Sequence, residues 1–317
     1  MEKQTEWSEE AYSRFGQSLC EQIRQLLGDG YETELSQVRK NNGVQKDVLY
    51  IRQENNDCVP CFYMDEMFRS FCFGEHIEAI AEYVKNIVLG ESAEVKEQVE
   101  TYIRKEWIVE NMFLRLVHYE KNKADLEQAV YVRVLDLAAV FYVLTEDSEE
   151  GVKSFRLPKS TWKSLELGEP EAYFHTVAMN TRKLFEERLE LLEYMVLECM
   201  ARRQQIELPL RELIRSPGQK LRENHLYVLT NHRRINGAAV ILYPRMLEEL
   251  AERFGGGFYV IPSSVHEVLL VKEDEIGEKR LNEMVKEVNE TQLEPEDVLA
   301  DQVYFYSPEK RRLFLCE

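Results

Sequence analysis

The chain has 317 residues, 44% of them hydrophobic and 31% charged, enough to bury a sizeable core in one large domain or two smaller ones. With 58 Asp and Glu against 40 Lys and Arg its net charge is −18, which argues against non-specific binding to nucleic acid because the chain as a whole repels phosphate. No apolar run approaches the ~20 residues that span a bilayer.

The N-terminus, Met1 to Glu10, is polar and acidic. It has neither the basic start nor the apolar centre of a secretory signal, so the expected location is the cytoplasm. Ser8 then caps a helix with Glu9 and Glu10 in its first turn and an apolar stripe of Tyr12, Phe15, Leu19, Ile23, Leu26 and Leu27. Gly28 and Gly30 stop it. A hairpin follows, Tyr31–Arg39 and Val44–Gln53, turning at Lys40-Asn41-Asn42-Gly43, where Asn-Gly supplies positive φ. A third strand near Val59–Met64 leads to a helix over Ile77–Leu89, ended by Gly90, and to a charged helix over Ala93–Lys105. These elements make a first region, 1–106, and the remainder a larger α+β region, 107–317, unless the chain is one domain.

In the second region Phe113–Tyr119 reads as a strand, Asn122–Ala129 as a short helix and Val132–Leu144 as one strongly apolar strand. The acidic loop 145–151 joins that strand to Val152–Leu157. Helices start after Pro158 and Pro170, and Leu189–Met200 keeps helical spacing. The pattern then predicts a C-terminal ββαββ unit. Strands His225–Thr230 and Ala238–Tyr243 turn through Asn236-Gly237, Pro244 opens a helix buried on Leu247, Leu250 and Phe254, and Phe258–Ile261 and Val268–Val271 complete the unit. A helix over Gly277–Glu290 and a hairpin about Ser307-Pro308-Glu309-Lys310 finish the chain. The fold class is α+β, with mixed, mostly antiparallel sheets, hairpins and flanking helices.

Several of these segments, in order, resemble one family. They are Lys40-Asn41-Asn42-Gly43, Tyr119-Glu120-Lys121-Asn122-Lys123, Asp136 to Tyr142, Asn180-Thr181, Leu229-Thr230-Asn231, Asn236 to Ala239 and Pro262 to Glu267. The chain resembles, from about Tyr31 to its end, an uncharacterised domain-of-unknown-function family of anaerobic, gut-dwelling Gram-positive bacteria. The resemblance implies a cytoplasmic bacterial protein and brings no activity, ligand or catalytic residue with it.

The residues themselves offer three candidate sites. Pro262-Ser263-Ser264-Val265-His266-Glu267 sets a nucleophile, a base and a carboxylate between two apolar strands. In an extended chain Ser264 and His266 share a face at ~7 Å and Glu267 faces away, so a hydrolase would need a sharp bend. The structural reading has Ser263, Ser264 and His266 satisfying backbone groups at a turn. Asn231-His232-Arg233-Arg234 is the most basic loop tip, inside a stretch (200–245) that holds nine Arg or Lys against three Glu. His232, Arg233 and Arg234 either meet an anionic ligand or an acidic partner, or they pair with acidic groups of the same chain. Cys58, Cys61, Cys72 and His76 have the spacing of a zinc site. The aromatic neighbours Phe62, Tyr63, Phe68, Phe71 and Phe73 favour core cysteines instead, so neither metal nor cofactor is expected. No phosphate-cradling glycine loop is present, since Gly255-Gly256-Gly257 follows a helix and ends it. The leading expectation is a non-enzymatic binding or interaction module, with an unidentified protein or small anion as partner and no membrane. A hydrolase built on Ser263 or Ser264 with His266 is the alternative.

Overall fold

A computed structural model describes residues 8–53, 59–102, 104–148, 151–203, 220–221, 225–273 and 277–316. They fall into two compact units, one within residues 1–104 and one within 105–317. Among the described residues no helix is long and apolar enough to cross a membrane.

The first unit sets helices on a small antiparallel sheet. Helix α1 (Glu9–Leu27) starts where the Ser8 hydroxyl accepts the Ala11 N–H at 3.1 Å and ends at Gly28, whose φ of 81° suits a residue without Cβ. Strands β1 (Tyr31–Arg39), β2 (Gln45–Gln53) and β3 (Cys61–Tyr63) lie in that order. Asn42 and Gly43 hold positive φ at the β1–β2 turn, as Asn-Gly permits. Helices α2 (Met64–Cys72) and α3 (Ile77–Tyr102) complete the unit. Its core joins Phe15, Leu19 and Ile23 to Leu49, Ile51, Met67, Phe68, Ile80 and Val84. One expectation is corrected here, and one helix is added. Gly90 does not end a helix, because it stays out of the left-handed region and a helix-interior glycine costs only ~1 kcal/mol. The aromatic segment around Phe68 is itself a helix, α2, which turns Met64, Met67 and Phe68 inward.

The second unit carries two sheets. Helix α4 (Lys105–Asn111) leads into β4 (Met112–His118). After α5 (Lys123–Leu126) come β5 (Tyr131–Val134), β6 (Leu137–Ser148) and β7 (Gly151–Arg156). The long β6 pairs with β4 on one side and with β5 and then β7 on the other, all antiparallel. Helices α6 (Lys159–Ser164) and α7 (Pro170–Leu184) follow the two prolines, and the Thr181 hydroxyl of α7 accepts the Leu114 N–H of the edge strand β4 at 3.0 Å. Strand β8 (Glu187–Leu191), helix α8 (Leu192–Arg203), β9 (Tyr227–Asn231), a 3-10 helix (Gly237–Leu242), α9 (Met246–Phe254), β10 (Phe258–Ile261), β11 (Val268–Lys272), α10 (Glu278–Thr291), β12 (Tyr304–Ser307) and β13 (Arg312–Leu315) complete the chain. The six-stranded sheet runs β13-β12-β10-β11-β9-β8. One core joins Leu114, Phe141 and Trp162 to Tyr227, Leu250, Phe258 and Tyr304.

The α+β class is observed, with three corrections inside the second unit. The apolar run 132–144 is a hairpin, not one strand. It turns at Leu135, whose φ of 57° is costly for leucine, and Asp136 beyond it accepts the buried Tyr304 hydroxyl at 2.8 Å. Residues 189–191 end strand β8, and the helix begins at Leu192. The second strand of the expected ββαββ unit, Ala238–Tyr243, is the 3-10 helix. Gly237 through Ile241 are all buried, so the run has no alternation to hold it in a sheet face, and its small residues let backbone approach backbone.

Candidate functional site

Two of the segments singled out in the sequence meet in the second unit. The loop after β9 is closed by the buried Asn231, whose side-chain amide donates to the Ile235 carbonyl at 2.9 Å while its oxygen accepts the Ile235 N–H at 3.4 Å. The β10–β11 connection bends sharply, with the Ser264 N–H on the Glu267 carbonyl at 3.1 Å. Asn236 N–H donates to His266 Nδ1 at 3.2 Å, and the Thr230 hydroxyl donates to the His266 carbonyl at 2.7 Å. A third segment closes the junction: Val265 N–H donates to the Asp297 carbonyl at 2.8 Å, and His266 Nε2 stands 3.2 Å from Asp297 Oδ1.

These partners assign the imidazole. Because Nδ1 accepts an amide proton it carries none, so the ring proton of neutral His266 sits on Nε2 and faces the Asp297 carboxylate. Neither nitrogen faces a hydroxyl. The Ser264 hydroxyl accepts the main-chain N–H of His266 at 3.1 Å, and Ser263 donates toward Glu267 at 3.4 Å. The bend that a hydrolase requires is present, yet it directs the serines to backbone and carboxylate and not to the base. Burial raises the Glu267 carboxyl above the ordinary range, opposed by Arg234, Ser263 and His266.

The basic tip is engaged by its own chain. Arg233 reaches Asp147 and the Ser148 carbonyl, Arg234 pairs with Glu190 at 2.7 Å, and the His232 ring stacks on Phe185 with centroids 6.4 Å apart. Of the remaining basic stretch, Arg211, Arg215 and Arg222 lie outside the described residues, as do the side chains of Arg202 and Arg203. Cys61 opens β3, Cys72 ends α2 and His76 follows it, all exposed, and Cys58 lies outside the described residues. Among the described residues no three His, Cys, Asp or Glu side chains form a metal-holding group.

A further group went unread in the sequence. The face of the four-stranded sheet opposite the main core presents Phe113, Arg115 and Val117 from β4, Ala138, Val140 and Tyr142 from β6, Tyr131 and Arg133 from β5, and Ser154 and Arg156 from β7. Tyr119, Tyr131 and Tyr142 pack against the buried Ala138 and Val140. Cations rest on these rings: Arg115 lies 4.1 Å from the Tyr142 centroid, Arg133 4.3 Å from Tyr119 and Lys159 5.5 Å from Tyr131. Arg115 donates to the Ser154 hydroxyl at 2.5 Å, Arg133 to the Leu135 carbonyl and Lys159 to the Leu126 carbonyl. Burial lowers the Arg115 pKa, partly offset by Tyr142. Among the described residues none of Arg115, Arg133, Arg156 and Lys159 has a carboxylate within ion-pairing distance. The usable signal was the alternation Phe113-x-Arg115 and Tyr131-x-Arg133. Reading 132–144 as a single strand hid the second half of it.

No curated protein and no solved structure matches the chain significantly. A family model matches residues 12–308, and the chain therefore belongs to the family of unknown function designated DUF5688.

Proposed function

We propose that this chain is a non-enzymatic binding module that receives an anionic partner on the outer face of its four-stranded sheet. One observation carries the reading: Arg133, Arg156 and Lys159 lie about the same face, two of them over tyrosine rings and beside the largely buried Arg115, with no described carboxylate within ion-pairing distance of them. In a chain of net charge −18 such cations have many acidic groups to choose from, and an uncompensated cluster favours an external anion. Rings that hold a guanidinium in place also reduce the entropy lost on binding. The basic tip His232–Arg234 supports this reading less, since Asp147 and Glu190 already match its guanidiniums. The hydrolase alternative lacks an imidazole nitrogen turned toward Ser263 or Ser264.

Titrating the full chain with fluorescent oligo-glutamate, inorganic polyphosphate and oligothymidylate tests the proposal. At least one probe is expected to bind, to weaken as salt rises, and to weaken again in the Arg133→Glu, Arg156→Glu double variant. If no probe binds the unchanged protein better than that variant, the proposal fails.

A further inference from the structure

We infer that β1 docks edge to edge against β1 of a second copy of this chain, an interface independent of the anion-binding face. Strand β1 ends its sheet. Among the described residues only β2 pairs with it, in an unbroken register from Tyr31 opposite Gln53 to Arg39 opposite Gln45. Two hydrogen bonds fix which way its backbone points. Lys40 N–H donates to the Val44 carbonyl at 2.7 Å, so Lys40 faces across the hairpin, and alternation turns Arg39, Gln37, Leu35 and Thr33 away from β2. On the far side of β2, Ile51 N–H donates to the Pro60 carbonyl at 3.2 Å. Ile51 and Leu49 therefore turn from β1, and their opposite numbers Thr33 and Leu35 turn from β2. The Thr33 carbonyl meets the exposed Arg24 guanidinium at 3.3 Å and keeps a second lone pair. Such a row of outward amides and carbonyls is a template for another strand.

The strand is complementary to itself. Leu35 is its midpoint, and at 46% exposure it is the large apolar side chain that β1 leaves most open to water. A two-fold axis through Leu35 pairs the whole of Tyr31–Arg39 antiparallel. Leu35 then lies on its own copy, Thr33 opposite Gln37 and Tyr31 opposite Arg39, each pair joining outward backbone groups. The two leucines bury one another. Glu32 and Glu34 fall opposite Val38 and Ser36, and Arg52 draws Glu34 back over its own sheet at 3.1 Å. Other registers fit worse. A slide of one residue sends opposed side chains to opposite faces. A slide of two one way sets Glu34 on Glu34; the other way leaves Leu35 facing Gln37 and Tyr31 without a partner in the strand. A parallel pair would set Glu32 and Glu34 beside their own copies.

The experiment is sedimentation velocity on the full chain over a concentration series, with residue-resolved hydrogen exchange at its two ends. A monomer–dimer equilibrium is expected. The Leu35 and Gln37 amides should be protected only where the dimer dominates, and the Glu34 and Ser36 amides, which face β2, throughout. Leu35→Lys should weaken the dimer by about tenfold or more, because it removes the leucine contact and sets two cations on the axis. Gln37→Pro removes an outward N–H that β2 does not use, a change an edge strand tolerates, and should weaken the dimer too. Circular dichroism checks both folds. Should either unfold the unit, Leu35→Thr keeps the strand propensity and should still weaken association. Monomer at every concentration would overturn the inference. So would a dimer that the folded variants leave unchanged, or one whose Leu35 and Gln37 amides exchange as freely as in the monomer. An assembly that grows past the dimer would overturn the closed two-fold pairing.

Discussion

Replacing Gly237 by alanine probes the junction between the β9 loop and the His266 turn. A Cβ at this position would stand 2.1 Å from the Thr230 hydroxyl, 2.5 Å from the His266 carbonyl oxygen and 2.8 Å from the Asn231 nitrogen. The hydroxyl can rotate away only by giving up its 2.7 Å hydrogen bond to the His266 carbonyl. The other two atoms are backbone, one at the end of a central strand and one in a turn tied to Asn236 and Asp297, so neither yields without moving its neighbours. Overpacking of ~1–3 kcal/mol together with a lost hydrogen bond of ~0.5–1.5 kcal/mol gives an expected cost of about 2–4 kcal/mol. For a unit of this size that lowers the calorimetric midpoint by roughly 4–16 °C. Gly256 is the control, because nothing lies within 4 Å of its Cβ position and its φ is ordinary, so Gly256→Ala should stay within ~0.5 kcal/mol. Adding Thr230→Ala to Gly237→Ala should recover part of the loss and not all of it, since the clash with the His266 carbonyl persists. A Gly237→Ala midpoint indistinguishable from that of Gly256→Ala would refute the packing described for the junction.

Two further substitutions test the second unit. Leu250 is 2% exposed in the core under α9, so Leu250→Ala should cost ~2–5 kcal/mol in urea unfolding, and an unmoved midpoint would place α9 wrongly. Glu267 tests the electrostatics of the junction: burial raises its folded pKa, so its contribution to stability is full below the unfolded value of ~4.3 and is lost as pH rises through the folded value. Glu267→Gln should therefore stabilise the protein at pH 7 and have no such effect below about pH 4, where both states are protonated. Destabilisation at pH 7 would show that Arg234 and Ser263 outweigh the burial.

Local chemistry settled much of this protein in advance. The Ser8 cap, the Gly28 stop, the Asn42-Gly43 turn, the prolines that open α6 and α7, and the Gly255 terminator all depend on a few adjacent residues whose φ preferences and hydrogen-bonding groups act within one turn of chain. Those elements were legible, and with them the α+β class. Long-range packing decided the rest. Residues 132–144 have the composition of a single strand, and only the pairing of β5 and β6, with Asp136 held by Tyr304, makes Leu135 accept a left-handed turn. Ala238–Tyr243 has the composition of a strand too. The close approach of Gly237 to Thr230 and His266 coils it, and no pattern of apolar residues encodes that approach. Both kinds of candidate site follow the same division. His266, Arg233 and Arg234 stood out by residue type, but their partners Asn236, Asp297, Asp147 and Glu190 come from distant positions, and those partners decide which way each polar group faces. The cations of the outer face show it most plainly: Arg115, Arg133 and Arg156 are unremarkable one at a time, and only the registers of three strand pairings on β6 set them on the same side of the sheet.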